Sequence, residues 1–204
     1  MFFLKEESTM SQALEIEFKN MLSPDEYQTL YQALRCRDLT PIKQENIYFD
    51  TKDGKLENKK IGLRVRITDN YVHLTMKQPH RDGKLETTEK LTTDQGRIIK
   101  ETGHIPVAGK LKDILNKQDI ALNDLIIIGH FKTTRYEQKW QKNLIVLDHV
   151  QFKHFEDYEL EMEVPEVEQG AIDFQQLLDY YKIPKRPSKQ KIVRMKRHQP
   201  LYTF

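Results

Sequence analysis

The chain has one cysteine, Cys36, among its 204 residues, which excludes an intrachain disulfide and a cysteine-based metal centre and suits a reducing compartment such as the cytoplasm. One tryptophan, eight glycines and eight prolines, all dispersed, leave no room for a collagen-like or low-complexity segment. No apolar run is long enough to span a bilayer as a helix. Met1-Phe2-Phe3-Leu4 is cut off by Lys5, Glu6 and Glu7, too early for a signal-peptide core. An excess of charge of one sign is also lacking: 33 Lys plus Arg stand against 31 Asp plus Glu, a formal net charge of +2. That balance speaks against a nucleic-acid binder, which needs a basic excess, and neither a nucleic acid nor a membrane is expected as a partner.

What the chain has in quantity is charge of both signs, 31% of its residues, set into alternating stretches. In Glu15-Ile16-Glu17-Phe18-Lys19 and in Tyr158-Glu159-Leu160-Glu161-Met162-Glu163 a charged residue follows each hydrophobe. Successive side chains of a strand point to opposite faces, so Glu15, Glu17 and Lys19 share one face and Ile16 and Phe18 the other. Gly62-Leu63-Arg64-Val65-Arg66-Ile67 repeats the pattern. It turns at Asp69-Asn70 and returns as Tyr71–Lys77, so that Arg64, Arg66, Thr75 and Lys77 share a face.

Further strands are expected over 42–50, from Gly83, from Leu125 through Tyr136 with Arg135 in it, and over Asn143–Asp148. Helices are expected from Ser23-Pro24 to about Arg35, with Cys36 as a packed thiol, and over 94–101, 106–117 and 168–181. The basic residues after Lys189, namely Lys191, Arg194, Lys196 and Arg197, read as a solvated tail. Trp140 and the tyrosines read as outer packing. About eight strands with a few helices make an α+β protein, either an antiparallel barrel with a charged lumen or an open sandwich with solvated faces. One domain over 13–197 is expected, with an extension over 1–12 and a short tail over 198–204; Met10 is a second possible start.

The charged faces collect a basic set, Lys19, Arg64, Arg66, Lys77, Arg135 and Lys189, and an acidic set, Glu15, Glu17, Glu86, Glu89, Asp148, Glu159 and Glu161. Either set alone inside a lumen would be severely unfavourable, because isolated charges lose hydration and like charges repel. The two sets can neutralise each other as salt bridges. Alternatively the carboxylates can hold a hard divalent cation such as Mg2+ or Mn2+ while the Arg and Lys side chains hold phosphate oxygens. A metal-chelated polyphosphate satisfies both sets at once.

The ordered set Glu15-x-Glu17-x-Lys19, Tyr48-Phe49-Asp50-Thr51, Leu63-Arg64-x-Arg66, Leu74-Thr75-Met76-Lys77, Arg135, Asp148, Tyr158-Glu159-Leu160-Glu161 and Ser188-Lys189 resembles the CYTH domain family, the triphosphate tunnel metalloenzymes. The resemblance covers residues 13 to about 194. It implies an eight-stranded antiparallel tunnel that binds a small-molecule triphosphate with Mg2+ or Mn2+. Lys19, Arg64, Arg66, Lys77, Arg135 and Lys189 would contact phosphate. Glu15, Glu17, Asp148, Glu159 and Glu161 would be metal ligands and catalytic residues. Where the family has an arginine followed by acidic residues, this chain has Lys84-Leu85-Glu86-Thr87-Thr88-Glu89. Lys84 then stands in for the arginine, with Glu86 and Glu89 the acidic candidates. The activity implied is hydrolysis of a triphosphate, inorganic tripolyphosphate requiring the fewest further groups. Thiamine triphosphate hydrolysis, ATP cyclisation and a non-catalytic phosphate-sensing module are the alternatives.

Overall fold

The computed structural model describes residues 10–106 and 109–198. A single antiparallel sheet carries nine strands in the order β1-β6-β5-β4-β3-β7-β8-β9-β2. Along the chain these are β1 (Met10–Glu15), β2 (Glu17–Leu22), β3 (Ile42–Thr51), β4 (Gly62–Ile67), β5 (Val72–His80), β6 (Gly83–Leu91), β7 (Leu125–Trp140), β8 (Asn143–Gln151) and β9 (Glu156–Glu163). The α-helices are α1 (Pro24–Ala33), α2 (Lys55–Asn58), α3 (Thr93–Thr102), α4 (Lys110–Asn116), α5 (Val167–Tyr180) and α6 (Lys191–His198).

The expected count of eight strands becomes nine because the first strand divides at Ile16. Before the division, Glu15 lies opposite Lys84 of β6; after it, Glu17 lies opposite Glu163 of β9. The two edges of the sheet are thus consecutive segments of one strand. The sheet wraps round a lumen whose seam is the covalent chain at Ile16 rather than a hydrogen-bonded ladder. The Ile16 carbonyl accepts the Val164 N–H at 3.0 Å, which holds the crossing in place. Gly83 sits under the same crossing: a Cβ there would lie 2.3 Å from the Glu15 carbonyl oxygen, so only glycine lets the backbones approach.

The apolar parity of the strands faces outward, under the helices. Leu63, Val65, Leu74 and Met76 of β4 and β5 pack with Ile99 of α3 and Leu111 and Leu115 of α4. On the other side Ile145, Leu147, Leu160 and Met162 of β8 and β9 pack against Leu30 of α1 and Phe174, Leu177 and Leu178 of α5. Each such burial stabilises the fold by roughly 1.5–3 kcal/mol, and these outer layers offset the cost of a charged interior. Local signals fix the helix ends. Ser23 and Glu26 form a capping box at the start of α1, and Thr92 and Gln95 do the same for α3. Asp50 accepts hydrogen bonds from the N–H groups of Thr51, Leu56 and Glu57, while the Thr51 hydroxyl accepts from that of Lys55; both side chains therefore serve the turn into α2. Cys36 is buried in the outer core and burial pushes its thiol up to about 11, as suits an inert packed group.

Two expectations are corrected. The segment after Lys189 is not a solvated tail: it forms α6, with Arg194 and Met195 buried and Ile192 and Met195 packed against Phe131, Val150 and Phe152. Lys196 does lie at the surface, paired with Glu57, and Arg197 is exposed. Nor do all the tyrosines pack outside, because Tyr48 lines the lumen. Strand β1 begins at Met10, so Met10, Ser11 and Gln12 belong to the sheet; residues 1–9 and 199–204 lie outside the described residues.

Candidate functional site

The inward parity of all nine strands lines one cavity of about 650 Å3. Of the residues expected at a site, Glu15, Glu17, Lys19, Arg64, Arg66, Lys77, Lys84, Glu86, Arg135, Asp148 and Glu161 all line it. Glu159, opposite Asp148 on the same face, is fully buried beneath Ser188, Lys191 and Arg194 and does not itself line the cavity.

The densest part is an acidic group on β8 and β9. Asp148, Glu159 and Glu161 are buried, and one carboxylate oxygen from each lies within 4.8 Å of the other two. Arg135 grips Asp148 through two hydrogen bonds of 2.8 Å and Glu161 through a third of 2.8 Å. Lys19 donates to Glu161 at 2.8 Å and pairs with Glu17 at 2.9 Å. Burial by itself would raise the Glu161 carboxyl, but Lys19, Lys191 and Arg135 outweigh it and hold the group well below the usual carboxylate range. Asp148 is lowered too, by Arg135 and Lys191 against burial. The oxygen-only donor set, buried and closely spaced, fits a hard divalent cation such as Mg2+ or Mn2+.

A second group lies at the seam. Lys77 bonds Glu15 at 2.5 and 2.6 Å and pairs with Glu86 at 2.9 Å. Lys84 bonds Glu17 at 2.9 Å, so it does face the lumen. Burial would raise Glu17, yet Lys19, Lys77 and Lys84 bring it to about 2. The linkage follows from that sign. A depressed folded-state pKa contributes stability above the ordinary value near 4.5, lost as pH falls through about 2. Chemical-denaturation midpoints are accordingly expected to hold down to about pH 4.5 and to fall steeply between there and pH 2, whereas a flat midpoint across that range would show that the lumen carboxylates are not held ionised.

The third group is basic and unpaired. Arg64 and Arg66 face the lumen, and among the described residues neither has an ion pair; Arg66 donates to the Asn46 side-chain oxygen at 3.2 Å. Burial, Arg64 and Arg135 together lower Arg66 to about 10, the mark of a cation without a compensating anion. Beside them the Asn46 side-chain nitrogen and the Thr133 hydroxyl are buried with no hydrogen-bond partner among the described residues. Orphaned polar groups of this kind are costly and rare in a folded interior.

Lys189 and Glu89 are not brought to the cavity. Lys189 is exposed, and Lys191 at the start of α6 reaches in instead, to Asp148 at 2.9 Å, to Glu161 at 2.6 Å and to Glu159. Glu89 lies on the opposite face of β6 from Glu86, three residues being an odd step along a strand, and accepts the N–H groups of Gly109 at 2.6 Å and Leu111 at 3.2 Å at the start of α4. Glu89→Ala is therefore expected to cost about 1–2 kcal/mol of stability and to leave turnover and KM unchanged; a loss of turnover without a loss of stability would return Glu89 to the site.

Reasoning from the sequence also missed lumen residues. Glu163 follows Glu161 at the same parity, faces the cavity, and has no ion pair among the described residues; burial, with Glu15, Glu161 and Glu137 against Arg135, raises its carboxyl. Tyr48 was legible by parity with Asn46, whereas Asn46 and Thr133 carry no charge and gave no signal. His73 is half-buried and stacks on Tyr71 at 4.3 Å, and it does not line the cavity.

Known proteins resemble this chain in sequence and fold. "Putative triphosphatase YjbK" of Bacillus subtilis is 37% identical over 185 residues, 91% of this chain and 95% of that protein. A solved structure from Bacillus halodurans, described as a "putative adenylate cyclase", is 31% identical with a TM-score of 0.83, covering 90% of this chain and 97% of its own. HpAC1 of Hippeastrum, described as having a dominant triphosphatase activity, shares the fold at 22% identity and a TM-score of 0.78, over 91% and 97% of the two chains. The model of the CYTH domain matches residues 13–195, and the chain belongs to the CYTH domain family.

Proposed function

We propose that this protein is a divalent-metal-dependent triphosphatase whose substrate is inorganic tripolyphosphate. The observation that carries the reading is the wall formed by Arg64, Arg66, Asn46 and Thr133. Two half-buried guanidinium groups with no ion pair, and two buried polar groups with no partner, among the described residues, converge on one cavity, which is the donor set an oxyanion rich in oxygens would complete. The carboxylates on the opposite wall would repel such an anion unless a cation accompanied it. Asp148, Glu159 and Glu161 would hold Mg2+ or Mn2+, with Glu15, Glu17 and Glu163 as further carboxylates at the seam. Such an ion, when bound, supplies Lewis-acid polarisation of a phosphoryl oxygen and a more acidic bound water.

The reaction is addition of water across a phosphoanhydride. A water oxygen attacks the terminal phosphorus, the bond to the bridging oxygen breaks with its electron pair leaving on pyrophosphate, and the proton the water gives up passes to a phosphate oxygen of the products. Arg64, Arg66, Lys77 and Arg135 hold the chain in line and neutralise the charge that grows on the transferred group and on the leaving pyrophosphate. Glu163, with no ion pair among the described residues, is free to hydrogen-bond the attacking water.

The same wall favours an inorganic substrate. Among the described residues the only aromatic ring lining the cavity is that of Tyr48, and it is already stacked on Phe131 at 5.5 Å. No ring is left there to sandwich a nucleobase or a thiazole. A cavity of about 650 Å3 takes a small-molecule triphosphate, and the buried lone Cys36 suits the cytoplasm. The test compares kcat/KM for tripolyphosphate, thiamine triphosphate and ATP with Mg2+ or Mn2+, alongside cyclic AMP formation. At least about a tenfold preference for tripolyphosphate and no cyclic AMP are expected. Preference for either organic triphosphate, or cyclisation, would displace the substrate assignment, and tight binding without turnover would make the protein a sensor.

A further inference from the structure

The occupant of the acidic group is the Lys191 ammonium. It donates to one oxygen of Glu161 at 2.6 Å and to one of Glu159, and pairs with one oxygen of Asp148 at 2.9 Å. The remaining oxygens are also engaged. Arg135 takes Asp148 and Glu161, while Arg194 and Ser188 take Glu159. The four carboxylates Asp148, Asp157, Glu159 and Glu161 are thus met by four cations, Lys191, Arg135, Arg194 and Lys19. A divalent cation added to this group would carry it from balance to an excess of two positive charges in a poorly solvated place, and it would need the same oxygens that Lys191 holds.

We propose that the Lys191 ammonium and a divalent cation are mutually exclusive occupants of the Asp148–Glu159–Glu161 oxygens, and that an entering triphosphate decides between them by drawing Lys191 onto its own oxygens. The inference rests on the triphosphatase reading and deepens it, making Lys191 a positioning residue that couples metal entry to substrate entry. Three features support it. Lys191 lines the cavity, so phosphate oxygens come within its reach. It is the first residue of α6, and its ammonium sits at the end of a flexible four-carbon arm that can swing without moving the helix. The helix is meanwhile anchored independently of Lys191: Arg194 pairs with Asp157 at 2.6 Å, and Ile192 and Met195 pack on Phe131 and Val150. A polyanion bringing several negative charges offsets both the freed ammonium and the incoming cation. The protein therefore favours metal and triphosphate together over metal alone, and by linkage each must tighten the other equally.

The test measures Mn2+ binding to the full chain by calorimetry and by the electron paramagnetic resonance of free Mn2+, with and without a non-hydrolysable imidotriphosphate. In the native protein the analogue is expected to tighten Mn2+ binding by about tenfold or more. Lys191→Met removes the competing charge while keeping the aliphatic arm. It is expected to tighten Mn2+ binding without the analogue by about tenfold, to reduce the analogue's effect to about threefold or less, and to show a larger rise in melting temperature with Mn2+ than the native protein. Lys191→Gln should behave the same way, and Lys191→Arg should keep the native coupling, which guards against a variant that fails to fold. Unchanged or weaker Mn2+ binding in both neutral variants would overturn the proposal. Failure of the native protein to bind the analogue with or without Mn2+ would instead overturn the triphosphatase reading itself.

Discussion

Replacing Arg64 and Arg66 together by methionine is expected to abolish tripolyphosphate turnover while leaving the fold as stable as before or more stable. Each guanidinium lost from a preorganised charge-stabilising site costs on the order of 10²–10³ in rate, so the double variant should fall below detection. Stability should move the other way. Neither side chain has an ion pair among the described residues, and Arg66 is held down to about 10 by burial and by the repulsion of Arg64 and Arg135. Removing them takes two mutually repelling charges out of a confined cavity and leaves no buried carboxylate orphaned. A gain of about 0.5–2 kcal/mol is expected, of the kind seen when a functional site is relieved of its strain. Steady-state phosphate release and thermal unfolding on the same preparations check both halves. Retained turnover would remove these residues from the site, and a marked fall in melting temperature would show them to be structural.

Arg135→Met should do the reverse to stability. Arg135 is buried and makes three charged hydrogen bonds of 2.8 Å, two to Asp148 and one to Glu161. Removing it leaves two buried carboxylates short of a cation, and breaking a buried pair on one side costs about 3–5 kcal/mol. For a chain of this length that is a drop in melting temperature on the order of 10 °C. The loss should shrink as the pH is lowered towards 2, because Asp148 and Glu161 are depressed in the fold and their contribution disappears as they protonate. Unfolding scans of both proteins across that range measure it, and a difference independent of pH would point to lost packing rather than lost charge. The contrast between Arg135 and the Arg64–Arg66 pair separates the two uses of positive charge in one lumen.

Much of this was legible in the residues, and the reason is the period of two. Leu63, Arg64, Val65 and Arg66 announce a strand with one charged and one apolar face whatever the tertiary context. Which face turns inward was not legible from any single strand, because a charged interior is tolerable only when opposite charges arrive from distant strands. Glu161 needs Lys19, 142 residues away in the chain, and Arg135 needs Glu161. The separation of Glu86 from Glu89 was available from parity alone. The division of the first strand at Ile16 was not, since it depends on two edges meeting. The largest omission was α6. Ile192 and Met195 have helical spacing, but five Lys and Arg residues within Lys189–Arg197 obscured it, and so Lys189 stood where Lys191 belongs. Asn46 and Thr133, which carry the oxyanion argument, are ordinary strand residues until their neighbours leave them without partners.

On the function proposed for it, the cavity binds a triphosphate with a divalent cation and hydrolyses it. Phosphate release from inorganic tripolyphosphate, followed with Mg2+, with Mn2+ and with excess EDTA, tests it most directly. Turnover is expected with metal and none with EDTA, restored when metal is returned. Release that continues undiminished in EDTA, or no release under any of these conditions, would contradict it.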